Sequence, residues 1–451
     1  MMALFVVDYG YCAGSHHYSS ACSLAAAASR RGVAFQLLAP SASDLAHSLE
    51  PAASFVLSHQ LYDHPLAERR GLRGFWSEFS ARRAAVRRDL HRHLDGRITS
   101  GDTVLLATPM APEFAGFADW HAALPAASRP AVAAHFLLPL GYGLAPDLAW
   151  QEDFALLAYR EAFGRLRASC GSRSLYLAHP PALAARLAAF EPKIEVCPSP
   201  FALPPAAPAP QNELSIAFLG RGKATKGIDL GFAAFDWLQA EEAPFRWIFQ
   251  TAPLELAPAR LRALRAPNVT HVGDFATPSG YAELLRSASI AVLPYDPVAY
   301  PADKGSGILC EALAMGIPVI CSKAEFLVDQ LARLGRPELV FRPYTGAALA
   351  AKIIEVAADY PRYREAFAAQ ASASGGRFAP EHLLDRLRTA AVGPAGDSER
   401  AAALRRAADG APAAAGSGAS LLSLLGLRLR ALSSRPASRR KSAEAPGRAG
   451  T

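Results

Sequence analysis

The sequence predicts an α/β fold: two doubly wound, Rossmann-like domains in tandem, facing each other across a cleft, with a disordered tail at the C-terminus. Three observations lead there. Short apolar runs alternate with Ala-, Arg- and Leu-rich helical stretches through most of the 451 residues. The alternation breaks at Pro198–Pro210, where six prolines in thirteen residues can continue neither element and read as a semi-rigid linker. After about Val392 the chain turns to Ala, Gly, Ser, Pro and Arg, a composition too poor in large apolar residues to build a core.

In the first domain, residues 1–197, strands are expected at Leu4–Asp8, Ala34–Leu38, Phe55–Ser58, Thr103–Ala107, Val132–Phe136, Ser174–Leu177 and Ile194–Cys197. Helices are expected between them at Ser19–Arg31, Ala67–Leu94, Phe114–Ala123, Leu148–Ala168 and Pro181–Phe190. The linker takes residues 198–212, and the alternation restarts in a second domain, residues 213–392. Its strands are expected at Leu214–Leu219, Phe245–Gln250, Val269–Val272, Ile290–Pro294, Pro318–Cys321 and Leu339–Phe341. Its last helices, near Pro361–Ala373 and Pro380–Ala390, can pack back on the first domain, and residues 393–451 form the tail. Ligands of such sheets lie beyond the carboxyl ends of the strands, in a crevice where the strand order reverses.

A chain this long exceeds one ordinary core and suits two. With 51% hydrophobic and 19% charged residues, the bulk is globular. The six cysteines are scattered with no C-x-x-C, so they read as small buried hydrophobes in a reducing compartment. The N-terminus lacks a basic region, and no apolar stretch approaches the roughly 18 residues of a membrane span. A cytoplasmic protein is expected. Of the net charge of +7, the segment Ala411–Thr451 carries +6, so the globular body is close to neutral. Within the tail, Ser420–Lys441 joins seven leucines to a basic cluster. It reads either as a solvated low-complexity tail or as a short interfacial helix on an anionic membrane, which would place the protein peripherally on the inner face of the plasma membrane. No aromatics interleave the basic residues, and no nucleic-acid partner is expected.

The chemistry concentrates in Pro294–Cys321, PYDPVAYPADKGSGILCEALAMGIPVIC with its flanks. Asp303 precedes Glu311 by eight positions, with Lys304-Gly305-Ser306-Gly307 between them. A small-residue loop opening a helix directs free backbone N–H groups and the positive dipole end at one spot, which suits a phosphate. Flanking carboxylates can accept from sugar or ribose hydroxyls. Acid pairs at this spacing arise by chance roughly three to four times in a chain of this composition, so the pair alone decides little. Context decides. A loop G-R-x4-K-G (Gly220-Arg221, Lys226-Gly227) opens the second domain at a strand's carboxyl end, where two cations can neutralise a diphosphate. It is followed by N-V-T-H-V-G-D-F, A-S-I-A-V-L-P, the D-x7-E segment and G-I-P-V-I.

In this order the motifs resemble the donor half of a retaining glycosyltransferase with the GT-B fold, of family 4 (group 1), over about Leu214–Gln330, and the N-terminal half less strongly. The resemblance implies that Arg221 and Lys226 bind the diphosphate, that the backbone of Ser306, Gly307 and Ile308 is the phosphate-binding helix start, and that Glu311 holds the ribose. It puts Asp303 against the donor sugar; members usually carry E-x7-E, and the shorter aspartate bears on which sugar is taken. His271–Phe275 would line the base pocket. In the first domain, Gly14 of the loop Tyr9–His17 would let the backbone approach the donor phosphate. His16 and His17 would lie on the acceptor side, and His135 would face the transferred sugar, although a histidine at a strand end also serves as hydrogen-bonded packing.

The implied reaction is retaining transfer from a nucleotide diphosphate sugar to a hydroxyl of a lipid-linked or saccharide acceptor, in bacterial surface polysaccharide or glycolipid synthesis. His135, Asp303, Arg221 and Lys226 would be its catalytic group. No D-x-D triplet occurs, so no metal or other cofactor is expected. Two other readings stay open: an epimerase acting on a nucleotide sugar, and a non-catalytic nucleotide-sugar binder.

Overall fold

The computed structural model describes residues 2–11, 16–41, 52–61, 65–201, 213–220, 223–251, 258–272, 278–374 and 376–392. Most of the linker and the whole tail from 393 onward lie outside them. Two parallel sheets make up the α/β fold that the alternation predicts. The first contains β1 (Ala3–Val7), β2 (Ala34–Pro40), β3 (Ala53–Leu57), β4 (Thr103–Ala107), β5 (Ala131–Phe136), β6 (Ser174–Ala178) and β7 (Ile194–Val196). Their order is β3-β2-β1-β4-β5-β6-β7. The second contains β8 (Ser215–Phe218), β9 (Arg246–Gln250), β10 (Val269–Val272), β11 (Ile290–Leu293) and β12 (Val319–Cys321), in the order β10-β9-β8-β11-β12. In each parallel sheet the strand order reverses once, between β1 and β4 and between β8 and β11, and those two crevices are where ligands of such sheets bind.

The strands are continuous apolar runs because helices cover both faces. Leu4 and Val6 of β1 pack with Ala21, Leu24, Ala27 and Ala28 of the helix His16–Arg30, whose alanines allow close approach. The opposite face is aromatic: the ring of Phe114 lies 4.7 Å from Phe163, which lies 5.0 Å from Tyr176. The last described helix, Pro380–Val392, belongs to the first sheet's core. It buries Leu383, Leu384 and Leu387 there and pairs Asp385 with Arg31 at 3.3 Å. The chain therefore crosses back after the second sheet, and Phe378 meets Phe201 at the crossing, ring centroids 5.4 Å apart.

Two expected elements are different. The strand expected at Leu339–Phe341 is a single bridge, Cys321 with Val340, because Pro337 opens a 3-10 turn through Leu339 and Pro343 cannot donate to a ladder. The helix expected over Ala67–Leu94 is split. A 3-10 turn at Pro65–Glu68 is followed by the helix Leu72–Leu94, with Gly71 as its N-cap. Among the described residues, no helix is long and apolar enough to cross a membrane.

The reversal in the second sheet depends on a close approach. Gly227 opens the helix Ile228–Ala240 with φ +72°, and a Cβ there would stand 1.8 Å from the carbonyl oxygen of Pro294, just past β11. An L side chain resists that backbone conformation and has no space. Gly227→Ala is expected to cost about 3 kcal/mol or more of stability, read by urea or thermal unfolding. An unchanged midpoint would contradict this packing.

Candidate functional site

The carboxyl end of the second sheet gathers the residues that the sequence places on the donor side. Gly220 leaves β8 with φ +98°, its N–H donating to Gln250 Oε1 at 2.9 Å. A Cβ at Gly220 would stand 2.5 Å from Lys226 Nζ and 2.8 Å from Ile308 Cδ1. The missing side chain is thus what lets Lys226 lie beside the start of the helix Gly307–Ala314. The ammonium also sits over the Tyr295 ring, 5.8 Å from its centroid. Ser306 is the N-cap: its Oγ accepts from Leu309 N at 3.2 Å and lies 3.1 Å from the Tyr295 hydroxyl. That capping leaves the N–H groups of Gly307 and Ile308 at the crevice next to a cation, an arrangement suited to a phosphate.

Glu311 lies one turn further along. The Tyr281 hydroxyl donates to its Oε2 at 2.8 Å. Burial raises the Glu311 pKa above the ordinary carboxylate value, and the Tyr281 bond and the charge of Lys226 oppose that rise. Burial and the neighbouring Glu311 push the Tyr281 phenol well up, so Tyr281 stays a hydrogen-bond donor. Asp303, only 8% exposed, is paired with Arg186 of the first domain, and Arg186 also donates to Glu152 Oε1 at 2.6 Å.

At the first crevice, Asp8 follows β1. His17 Nδ1 donates to Asp8 Oδ1 at 2.9 Å, and Gly10 N donates to the same oxygen at 2.9 Å. The imidazole lies against Gly10, where a Cβ would meet the ring at 2.4 Å. His135 is buried at the end of β5, with Nε2 donating to the carbonyl of Cys197 at 2.9 Å. Burial lowers its pKa to about 4, so the ring is neutral near pH 7 and Nδ1 keeps its lone pair. Asp8, His17, Thr108, His135 and Ser199 line one small cavity. His179 follows β6 and faces the second domain. Its Nε2 lies 3.3 Å from Cys310 Sγ, and burial takes its pKa down to about 3.

The structure thus brings Lys226, Ser306, Gly307, Ile308, Glu311 and Asp303 to one end of the second sheet, and His17 with His135 to one cavity of the first. Gly14 and Arg221 lie outside the described residues, as do Gly273–Phe275 of the expected base-pocket loop and the side chain of His16. Sequence reasoning missed Arg186, Glu152, Tyr281, Tyr295, His179 and Asp8. Tyr295 stands inside the most informative segment, and Asp8 at a strand's carboxyl end is a position worth testing in any such sheet. Arg186 lies in an Ala/Leu/Arg helix that reads as an ordinary solvated face, and nothing local marks it. Among the described residues, no group of three or more His, Cys, Asp or Glu side chains is placed to hold a metal ion.

Residues 213–359 match the family model described as Glycosyl transferases group 1. No curated protein matches the chain. Among solved structures, the chain is similar to a trehalose-6-phosphate protein from E. coli bound with UDP-2-fluoro glucose, at 12% identity and TM-score 0.55, over 86% of this chain and 99% of that one. It is also similar to an α,α-trehalose-phosphate synthase (UDP-forming) from Burkholderia vietnamiensis, at 12% identity and TM-score 0.56, over 87% and 98%. A third is WaaG, a glycosyltransferase involved in lipopolysaccharide biosynthesis, at 15% identity and TM-score 0.50, over 86% and 99%. At such identities the likeness is one of fold, and the fold shared is GT-B. The chain carries a Glycosyl transferases group 1 domain on a GT-B frame, and it is a glycosyltransferase.

Proposed function

We propose that the protein moves a sugar, with retention, from a nucleotide diphosphate sugar to a hydroxyl of a saccharide or lipid-linked acceptor. The observation that carries this reading is the convergence of Lys226, Gly220 and the capped start of the helix Gly307–Ala314 at the second sheet's reversal point. The diphosphate would accept from the N–H groups of Gly307 and Ile308 and from Lys226, with Arg221 as the second cation of the pair. Glu311, oriented by Tyr281, would accept from a ribose hydroxyl, and Asp303 from a hydroxyl of the sugar. The first domain would present the acceptor, with Gly14, His16 and the Asp8–His17 pair at its loop. His135 has spent Nε2–H on Cys197, so its contribution would come from Nδ1.

In the transfer, the bond from the sugar's anomeric carbon to the phosphate oxygen breaks, and its electron pair leaves with the nucleotide diphosphate. The acceptor oxygen bonds the anomeric carbon from the same face, and its proton passes to the departing phosphate. No protein nucleophile takes part. The charge developing on the leaving group is met by Lys226 and the helix start, positioned in advance, so the step is proposed to need no metal. Nucleotide release from a panel of UDP- and GDP-sugars tests this. Lys226→Ala is expected to lower kcat about 100-fold and Glu311→Ala to raise the donor KM. The anomeric configuration of the product should match the donor's. Absence of turnover with every donor, or indifference to both substitutions, would sink the transferase reading, and an inverted product would sink retention.

A role in bacterial surface polysaccharide or glycolipid synthesis belongs to the same proposal. It is supported by the group 1 domain together with the leucine-bearing, basic segment Ser420–Lys441, which lies outside the described residues. A cytoplasmic enzyme held on the inner face of the plasma membrane by that segment would meet a lipid-linked acceptor directly. Co-sedimentation with anionic liposomes is expected, weakening as salt rises. Equal sedimentation after deletion of residues 420–441 would remove the membrane part and leave the transferase part standing.

A further inference from the structure

Asp303 is where the second domain meets the first. Arg186 stands in the helix Pro181–Ala188 after β6; its Nη1 donates to Asp303 Oδ2 and its Nη2 to Glu152 Oε1. Glu152, in the helix Ala149–Cys170, belongs to the same domain as Arg186, so the guanidinium is anchored on its own wall of the cleft. The Glu152 carboxylate lies beside Gly141, its carboxyl carbon 3.7 Å from where a Cβ there would stand. Beside this pair, His179 Cδ2 lies 3.4 Å from where a Cβ at Gly305 would stand, so the loop leading into the phosphate-facing helix is seated on the corner after β6.

A guanidinium offers five N–H donors in a planar fork. Two are committed here, and the Arg186 side chain is 40% exposed, so the others reach the cleft. Asp303 uses Oδ2 on Arg186, and among the described residues Oδ1 has no hydrogen-bond partner. An acceptor from one domain and donors from the other therefore stand side by side. A sugar hydroxyl both donates and accepts, so two neighbouring hydroxyls satisfy the pair, one donating to Asp303 Oδ1 and the other accepting from Arg186. Two carboxylates surround a single guanidinium, a balance that disfavours a uronate and suits an uncharged sugar.

We infer that Arg186 is a donor-sugar-binding residue supplied by the first domain, and that with Asp303 it reads adjacent hydroxyls of a neutral hexose. This rests on the donor site proposed for the second domain and adds its sugar end. The nucleotide end needs only second-domain residues, whereas the sugar end is complete only while the two domains meet at this corner. Affinity for the sugar and affinity for the nucleotide should therefore separate on mutation.

The experiment uses the full chain, with UDP-glucose, UDP-galactose, GDP-mannose and UDP-glucuronic acid as donors and free UDP and GDP as sugar-free probes. Arg186→Ala is expected to raise the KM of the best neutral donor about tenfold or more, while the Kd of the matching free nucleotide changes by less than about twofold. Arg186→Lys keeps the charge facing Asp303 but loses the fork, and should fall between. UDP-glucuronic acid should be the poorest donor of the UDP series. If Asp303→Asn raises the donor KM and Arg186→Ala does not, the donor site stands and the role given to Arg186 is overturned. Equal losses for donor and free nucleotide would make Arg186 structural and also overturn it. If the unaltered protein binds neither nucleotides nor donors, the donor site itself fails.

Discussion

At residue 227 there is no room for a side chain, and the arrangement at the second sheet's carboxyl end follows from that. The carbonyl oxygen of Pro294 occupies the space a Cβ would need, at the point where the second sheet reverses its order. The loop after β8 is thereby pressed onto the end of β11. Lys226, the residue before this contact, is carried to the glycine that ends β8 and to the start of the helix Gly307–Ala314. A fixed ammonium next to the open N–H groups of a helix start needs no rearrangement when charge develops on a diphosphate, which is the condition for electrostatic catalysis without a covalent step.

The two domains divide the work unequally. The groups proposed to face the nucleotide, Lys226, Ser306–Ile308 and the Tyr281–Glu311 pair, all belong to the second. The carboxylate of Asp303, proposed to face the sugar, is tied across the cleft to Arg186. Two buried histidines on the first domain's side, His135 and His179, carry little of the charge. Burial holds His135 near a pKa of about 4 and His179 near about 3, so both are neutral at physiological pH. Among the described residues, Lys226 and Arg186 bring positive charge to the cleft, and in the proposed reading the first meets the leaving group and the second the sugar.

Much of the fold was legible from the sequence because parallel strands covered on both faces are written as unbroken apolar runs, as in Leu4–Val7 and Ile290–Leu293. The strand expected at Leu339–Phe341 was misread because an apolar triplet says nothing about its ladder, and the prolines on either side decided the matter. That Asp303, Ser306–Ile308 and Glu311 gather at one place was legible because they follow one another along a single loop and helix, where spacing carries the information. Arg186 and Glu152 were not, since their role comes from a contact between residues 117 and 34 positions apart, in helices of unremarkable composition. Tyr281 likewise meets Glu311 only through the packing of two helices, 30 positions apart in the chain.

The most direct test of the account is a crystal structure of the protein with a nucleotide diphosphate sugar bound. Phosphate oxygens are expected within about 3 Å of the N–H groups of Gly307 and Ile308 and of Lys226 Nζ. The ribose is expected at Glu311 and the sugar between Asp303 and Arg186. A diphosphate bound away from that helix start, with Lys226 facing solvent, would contradict it.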